Sequence, residues 1–352
     1  MEEIDCPVCG TANEEVAIRE NGYAGRRCGV CGLIYISPRP EPDEVTELYD
    51  DYNRMAVVRR FGTSPLKRRF VAGRALDIVR EHRPDGSLLE IGPGEGFFLQ
   101  AASRHYDVAG LELDPTAAAF IERELGIPCE TEPLAETTPF DRTFDAIYHR
   151  NVTSHLRDPV TAFERMADLL DDDGVLVFET GNIAEVDERH YDRYPEFQYP
   201  DHLTFFGEDS LTTLLERAGF TPVRTYRYAT LPYFGLLAVL QPVVAAARGL
   251  VTDGDAGDEP AGRDARHEND GGTVDDVTAD GDTASNRIDR SNPATDGAGS
   301  GERPSDGKLA VYRLLESVLV AVQYVLIYRL GRSLARPGHP QTMIVVARKA
   351  DA

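Results

Sequence analysis

Leu88-Leu-Glu-Ile-Gly-Pro-Gly-Glu-Gly-Phe97 joins a short apolar run to three glycines at every second position, Gly92, Gly94 and Gly96. The apolar run reads as a buried strand ending at Ile91, and helical spacing resumes at Phe97. Glycines between them tolerate positive φ and let the backbone approach a ligand closely. A dinucleotide fingerprint, G-x-G-x-x-G, needs its third glycine at position 97, where Phe97 stands. Glu90 sets a carboxylate beside the loop, which repels a pyrophosphate and suits a cationic amino group. The plain alternative is a strand, turn and helix that bind nothing.

Outward from this stretch, short apolar runs alternate with helical patterns. Further strand candidates are 107–113, 127–131, 144–149, 174–180, 221–228 and, at the far end, 342–349. Helix candidates between them are Phe97–Arg104, Thr116–Leu125, Pro159–Leu170 and Glu208–Ala218. Asp114-Pro115 supplies a cap and a first-turn proline for the second of these. Such alternation predicts an α/β fold, a doubly wound Rossmann-like sheet that is mostly parallel. Upstream, Asp85-Gly86 marks the turn before this core, and helical patterns cover Glu44–Tyr52 and residues 65–81. The charge runs Asp171–Asp173 and Glu185–Arg189 read as solvated turns.

The first 40 residues form a separate unit. Cys6-Pro-Val-Cys9 and Cys28-Gly-Val-Cys31 are two Cys-x-x-Cys pairs with 18 residues between them, a zinc spacing. Two thiolates per pair can reach one ion in tetrahedral geometry, and four leave no open position, so the zinc expected here is structural. A redox dithiol is the alternative. Cys129 stands alone and reads as a buried apolar side chain.

At the other end, two apolar segments, 231–251 and 309–330, are interrupted by prolines, glutamines and charges. They read as helices packed on the sheet or on each other, with peripheral membrane contact as the alternative. The stretch 252–307 between them is rich in Asp, Gly, Thr, Ala and Ser, and its composition predicts disorder. A net charge of −23 argues against a nucleic-acid partner. Only three of the 37 basic residues are lysines, at 67, 308 and 349. An Asp-rich, Lys-poor surface resembles that of salt-loving microbes, so the charge reports habitat as well as partner. Cysteine usage and an N-terminus without basic and apolar signal regions predict a cytoplasmic location.

The E-x-G-x-G-x-G pattern at Glu90–Gly96 resembles the first motif of class I S-adenosylmethionine-dependent methyltransferases. That cofactor carries an amino group and no phosphate. Outside the acidic insert the resemblance spans nearly the whole chain, and it is nearest to methyltransferases with an N-terminal CxxC–CxxC unit followed by Pro-Arg-Pro, here Pro38-Arg39-Pro40. It implies a seven-stranded sheet over 86–230 plus 341–350, with 41–85 as a helical connector. It further implies that Glu90, Gly92, Gly94 and Gly96 line the methionine end of the cofactor. Glu112, 22 residues after Glu90, would hold both ribose hydroxyls, Glu132 would lie by the adenine, and His149 to Asn151 would pass under the sulfonium.

His155 with Asp158-Pro159 resembles an E-H-x-x-D-P run in which Ser154 replaces the glutamate, and Glu179-Thr-Gly-Asn182 resembles E-T-P-N with Gly181 for proline. Tyr199-Pro-Asp-His-Leu-Thr-Phe-Phe206 resembles a P-E-H-L-x-x-F run and makes His202 the candidate base, with a pocket-shaping histidine as the alternative. His155 reads as structural, and Tyr191, Tyr194 and Tyr199 as pocket walls or packing. The expected acceptor is a small molecule or carrier-linked metabolite of sugar, quinone or lipid type, methylated at O, C or N. RNA methylation and a non-catalytic, partner-docking protein are the rivals. No clustered Lys/Arg face and no N/D-P-P-Y tetrapeptide supports the first of these.

Overall fold

A computed structural model describes residues 1–41, 44, 65–134, 139–193, 199–229, 317–318, 321–322 and 324–350, all within a single structural unit. The expected helix Glu44–Tyr52 apart from its first residue, the acidic stretch 252–307, the apolar segment 231–251 and half of 309–330 fall outside these residues. Among the described residues no helix is long and apolar enough to cross a membrane.

The chain begins with three short strands, β1 Val16–Glu20, β2 Tyr23–Arg27 and β3 Ile34–Ile36. Helix α1 Pro65–His82 leads into β4 Gly86–Ile91, α2 Phe97–Ala102, β5 Tyr106–Leu111, α3 Pro115–Phe120 and β6 Cys129–Glu130. There follow β7 Phe144–Arg150, α4 Pro159–Leu169, β8 Leu170–Gly181, β9 Thr204–Phe205, α5 Glu208–Arg217, β10 Phe220–Ala229 and β11 Gln341–Lys349. Seven of these strands form one sheet in the order β10-β11-β8-β7-β4-β5-β6. The pairs β4–β5, β4–β7, β5–β6 and β7–β8 are parallel, and β11 runs antiparallel between β10 and β8. This is the Rossmann-like arrangement that the alternating pattern predicts.

The apolar strand runs are buried on both faces, as a helix-covered parallel sheet requires. Along β4, Leu88 belongs to a core cluster with Ile78 of α1 and Leu99 of α2. Leu89 joins the opposite cluster with Phe163 of α4 and Leu214 of α5. Strand β5 stops at Leu111 rather than at Leu113, because the chain leaves the ladder there to cap α3: Asp114 accepts from the Thr116 amide at 2.8 Å. The helical run expected to Leu125 continues past α3 as a single π-type turn over Ile121–Leu125. Asp171–Asp173, expected as a solvated turn, lie in the first half of β8. Their carboxylates still reach solvent and basic neighbours, Arg83 Nη1 donating to Asp173 at 2.8 Å.

The N-terminal strands make a second, antiparallel sheet in the order β1-β2-β3-β9. Its fourth strand comes from far along the chain: Ile34 pairs with Phe205 and Tyr35 with Thr204. Glu20 accepts from the Tyr199 amide at 2.7 Å, and Asn21 Nδ2 donates to the Tyr199 carbonyl at 2.8 Å. The Pro38-Arg39-Pro40 segment acts as a clasp. Arg39 donates to the Arg157 carbonyl, Arg157 donates to the Pro40 carbonyl, and both arginines hold Glu2.

Candidate active site

The glycine loop sits where the central strand β4 ends. Gly92, Gly94 and Gly96 have φ of 69°, 55° and 72°, all in the left-handed region that disfavours other residues. At Gly92 a Cβ would lie 2.8 Å from a Val152 methyl, and at Gly96 one would lie 2.6 Å from Leu125 Cδ1. The loop therefore needs glycine for conformation at all three positions and for space at two. Glu90 is buried and accepts from the Leu99 amide at 3.1 Å. Burial pushes its pKa up to about 8, with the neighbouring Glu112 charge adding to the shift.

Glu112 follows β5 and turns back over the loop. One carboxylate oxygen accepts from the Gly94 amide at 2.8 Å, the other from the Asp114 amide at 3.0 Å. Asn151, just past β7, also adopts positive φ, 55°, its amide bonded to the Glu179 carbonyl at 2.9 Å. Glu112 and Asn151 line one cleft of about 620 Å³ together with Gly92, Thr180, His155 and His202. Across Gly92 a second cleft, about 370 Å³, is lined by Glu90, Lys67, Arg68, Phe97, Tyr148 and Arg150.

Two expected positions lie elsewhere. His149 does not reach the cleft: strand alternation turns its ring into the core, 5.0 Å from Phe178 and 5.7 Å from Phe163. Burial lowers its pKa to about 3, so it is neutral. Glu132 is exposed and lines neither cleft, because β6 ends two residues earlier and the chain turns outward. Tyr199 is no pocket wall either. It is buried against the N-terminal sheet, where a Cβ on Gly25 would meet its hydroxyl at 2.0 Å. Tyr191 bonds Arg27, and Tyr194 is outside the described residues.

His202 does line the larger cleft, held in place by its neighbours. The Leu203 amide donates to the Ser154 carbonyl at 2.8 Å, and the Leu203 carbonyl accepts from the Ile36 amide at 2.9 Å. His155, expected to be structural, lines the same cleft. Its ring lies 4.7 Å from that of His202, and its Nδ1 is 3.0 Å from the Asp201 carbonyl and 3.3 Å from the Asp201 carboxylate. The adjacency of Asp201 to His202 was visible in sequence, but the meeting with His155, 46 positions away, was not.

The four cysteines converge as the spacing predicts. Cys6 and Cys31 sulfurs are 3.6 Å apart, Cys9 and Cys28 sulfurs 3.3 Å, and all four lie within 4.8 Å of one another. A tetrahedron of sulfurs about 2.3 Å from a zinc ion has edges of about 3.8 Å, so the donor set fits that metal. Gly10 and Gly32, at φ 75° and 77°, close the two knuckles on the Cys6 and Cys28 carbonyls. Contact with the Cys6 thiol draws Cys31 down to about 5, and the same contact pushes Cys6 up.

Residues 66–225 match the family model described as a methyltransferase domain. Among curated proteins, the chain is 33% identical over 101 residues to a tRNA U34 carboxymethyltransferase of Syntrophotalea carbinolica, covering 26% of this chain and 31% of that protein. It is 30% identical over 109 residues to phosphoethanolamine N-methyltransferase 3 of Arabidopsis thaliana, covering 27% of this chain and 22% of that one. The chain thus spans under a third of the length of these relatives. A solved S-adenosylmethionine-dependent methyltransferase from Clostridium acetobutylicum overlays at 13% identity with a TM-score of 0.38, covering 49% of this chain and 89% of that one. The match to a methyltransferase domain thus lies on the part of the chain that builds most of the Rossmann-like sheet.

Proposed function

We propose that this chain transfers a methyl group from S-adenosylmethionine to a small-molecule or carrier-linked acceptor. The observation that carries the reading is Glu112, whose carboxylate lies over the glycine loop and faces the larger cleft. A carboxylate there suits a pair of ribose hydroxyls, and Glu90 suits the amino group of the methionine end. Methyl transfer from a sulfonium is an in-line displacement, so the protein's main task is to align donor and acceptor. An acceptor that must lose a proton would lose it to His202, which lines the same cleft as Gly92. Zinc on Cys6, Cys9, Cys28 and Cys31 would brace the sheet that carries Thr204 and Phe205, and so the loop that carries His202.

The test is calorimetric titration of S-adenosylmethionine and its demethylated product into the full chain, beside Glu112→Ala. Removing a carboxylate acceptor from two hydroxyls should weaken binding about tenfold to a hundredfold. Absence of binding to folded protein would overturn the reading. Similarity to a tRNA-modifying enzyme favours RNA as a second acceptor class, against which the net charge of −23 stands. Salt-dependent retention on RNA would support it.

A further inference from the structure

The larger cleft contains three metal-binding side chains that proton transfer alone does not require. His155, Asp201 and His202 each offer a ligand atom, and the three atoms lie within 4.8 Å of one another. We propose that they form a binding site for a divalent first-row transition ion at the acceptor side of the cleft, separate from the four-cysteine cluster.

Three observations support the site. First, His155 Nδ1 lies 3.3 Å from an Asp201 carboxylate oxygen, the span of two ligands about 2.1 Å from one ion at a near-tetrahedral angle, and on ion binding it would give up its proton and its contact to the Asp201 carbonyl. Second, the donors come from two segments joined by main-chain bonds. The Leu203 amide bonds the Ser154 carbonyl, and Thr204 Oγ1 approaches the Thr153 and Ser154 carbonyls at 3.4 and 3.5 Å. A preformed scaffold of this kind lowers the cost of gathering the ligands. Third, His155 and His202 line the cleft together with Asp201, so an ion there keeps positions open towards a bound molecule.

The donor chemistry selects the ion. Two imidazoles and one carboxylate suit manganese, iron, cobalt or zinc, whereas magnesium and calcium prefer all-oxygen shells. Three protein ligands with open positions are the pattern of a site that meets substrate, unlike the closed four-thiolate set. An ion there would draw in an acceptor bearing a hydroxyl or carboxylate and polarise it. In that state His202 holds the ion instead of taking a proton. Ion binding stands on the donor set alone, and only its effect on transfer rests on the methyltransferase reading.

The experiment uses the full chain loaded with one equivalent of zinc, which the four cysteines hold, as verified by elemental analysis. Cobalt(II) is then titrated in calorimetrically, with Asp201→Asn and His155→Gln beside the unaltered chain. A second metal equivalent is expected in the unaltered chain, with affinity at least tenfold weaker in either variant and zinc retained in both. X-ray absorption at the cobalt edge of the unaltered chain needs no variant, and should show nitrogen and oxygen neighbours with imidazole scattering. No second equivalent, sulfur neighbours around the cobalt, or equal binding by folded variants would overturn the proposal. Cofactor calorimetry on protein holding the one zinc alone separates its failure from failure of the methyltransferase reading.

Discussion

Glu90 is a buried carboxylate whose protonation bears both on stability and on the amino-group binding proposed for it. Its ordinary pKa is 4.5, and burial raises it to about 8 in the folded chain. Between those values the folded chain holds a proton that the unfolded chain has released, so this residue's contribution to stability falls as pH rises through the window. Glu90→Gln keeps an acceptor for the Leu99 amide and removes the charge. Melting temperatures from pH 5 to 8.5 should therefore decline less steeply in the variant, which should be the more stable protein at the alkaline end. Affinity for a cationic amino group should rise with pH in the unaltered chain and lose that dependence in Glu90→Gln. Gly25 is a residue of a different kind, whose space is already taken by the Tyr199 ring. Gly25→Ala should cost about 1–3 kcal/mol in denaturant unfolding, and adding Tyr199→Phe, which removes the 2.0 Å contact, should recover part of it.

At the scale of elements, the decisive contact is the pairing of β3 with β9. It makes Thr204–Phe205, just after the loop bearing Asp201 and His202, a fourth strand of the N-terminal sheet. Cys6, Val8, Cys28, Cys31, Leu33 and Tyr35 also share a continuous cluster with Phe163 and Phe206, so this sheet is built onto the core. Removal of the proposed zinc, by chelation or in Cys28→Ser, should loosen the seam. Amide exchange should quicken at Ile36, which bonds the Leu203 carbonyl, and change little at Asn151, whose amide bonds the Glu179 carbonyl within the large sheet. Equal protection at Ile36 with and without metal would show that the sheet holds the loop unaided.

For the whole molecule the dominant quantity is the net charge of −23. Like charges on a closed surface repel, and folding brings them nearer than the unfolded chain does. Screening shortens their reach from about 10 Å at 0.1 M salt to about 3 Å at 1 M. The melting temperature should therefore climb with potassium chloride across that range. A flat profile would indicate that the carboxylates are already compensated by pairs such as Arg83 with Asp173 and Arg227 with Glu185.

The alternation of apolar runs determined the doubly wound sheet without help from tertiary structure, because a strand buried on both faces must be apolar throughout. Likewise the loop glycines and the two Cys-x-x-Cys pairs declare themselves locally: the first by the φ values they permit, the second by the reach of two thiolates across two residues. Element ends were less legible. Leu111 ends its strand through the demands of the cap at Asp114, a competition between hydrogen bonds that periodicity does not record. The direction of His149 was decided by pleat register, the exposure of Glu132 by the shortness of β6, and the burial of Tyr199 by a glycine 174 positions earlier. Only the folded chain could bring His155 to Asp201 and His202, since their approach depends on β9 joining a sheet made of the first 36 residues. Local spacing sets what one segment can do, whereas the meeting of distant segments depends on packing that no single segment encodes.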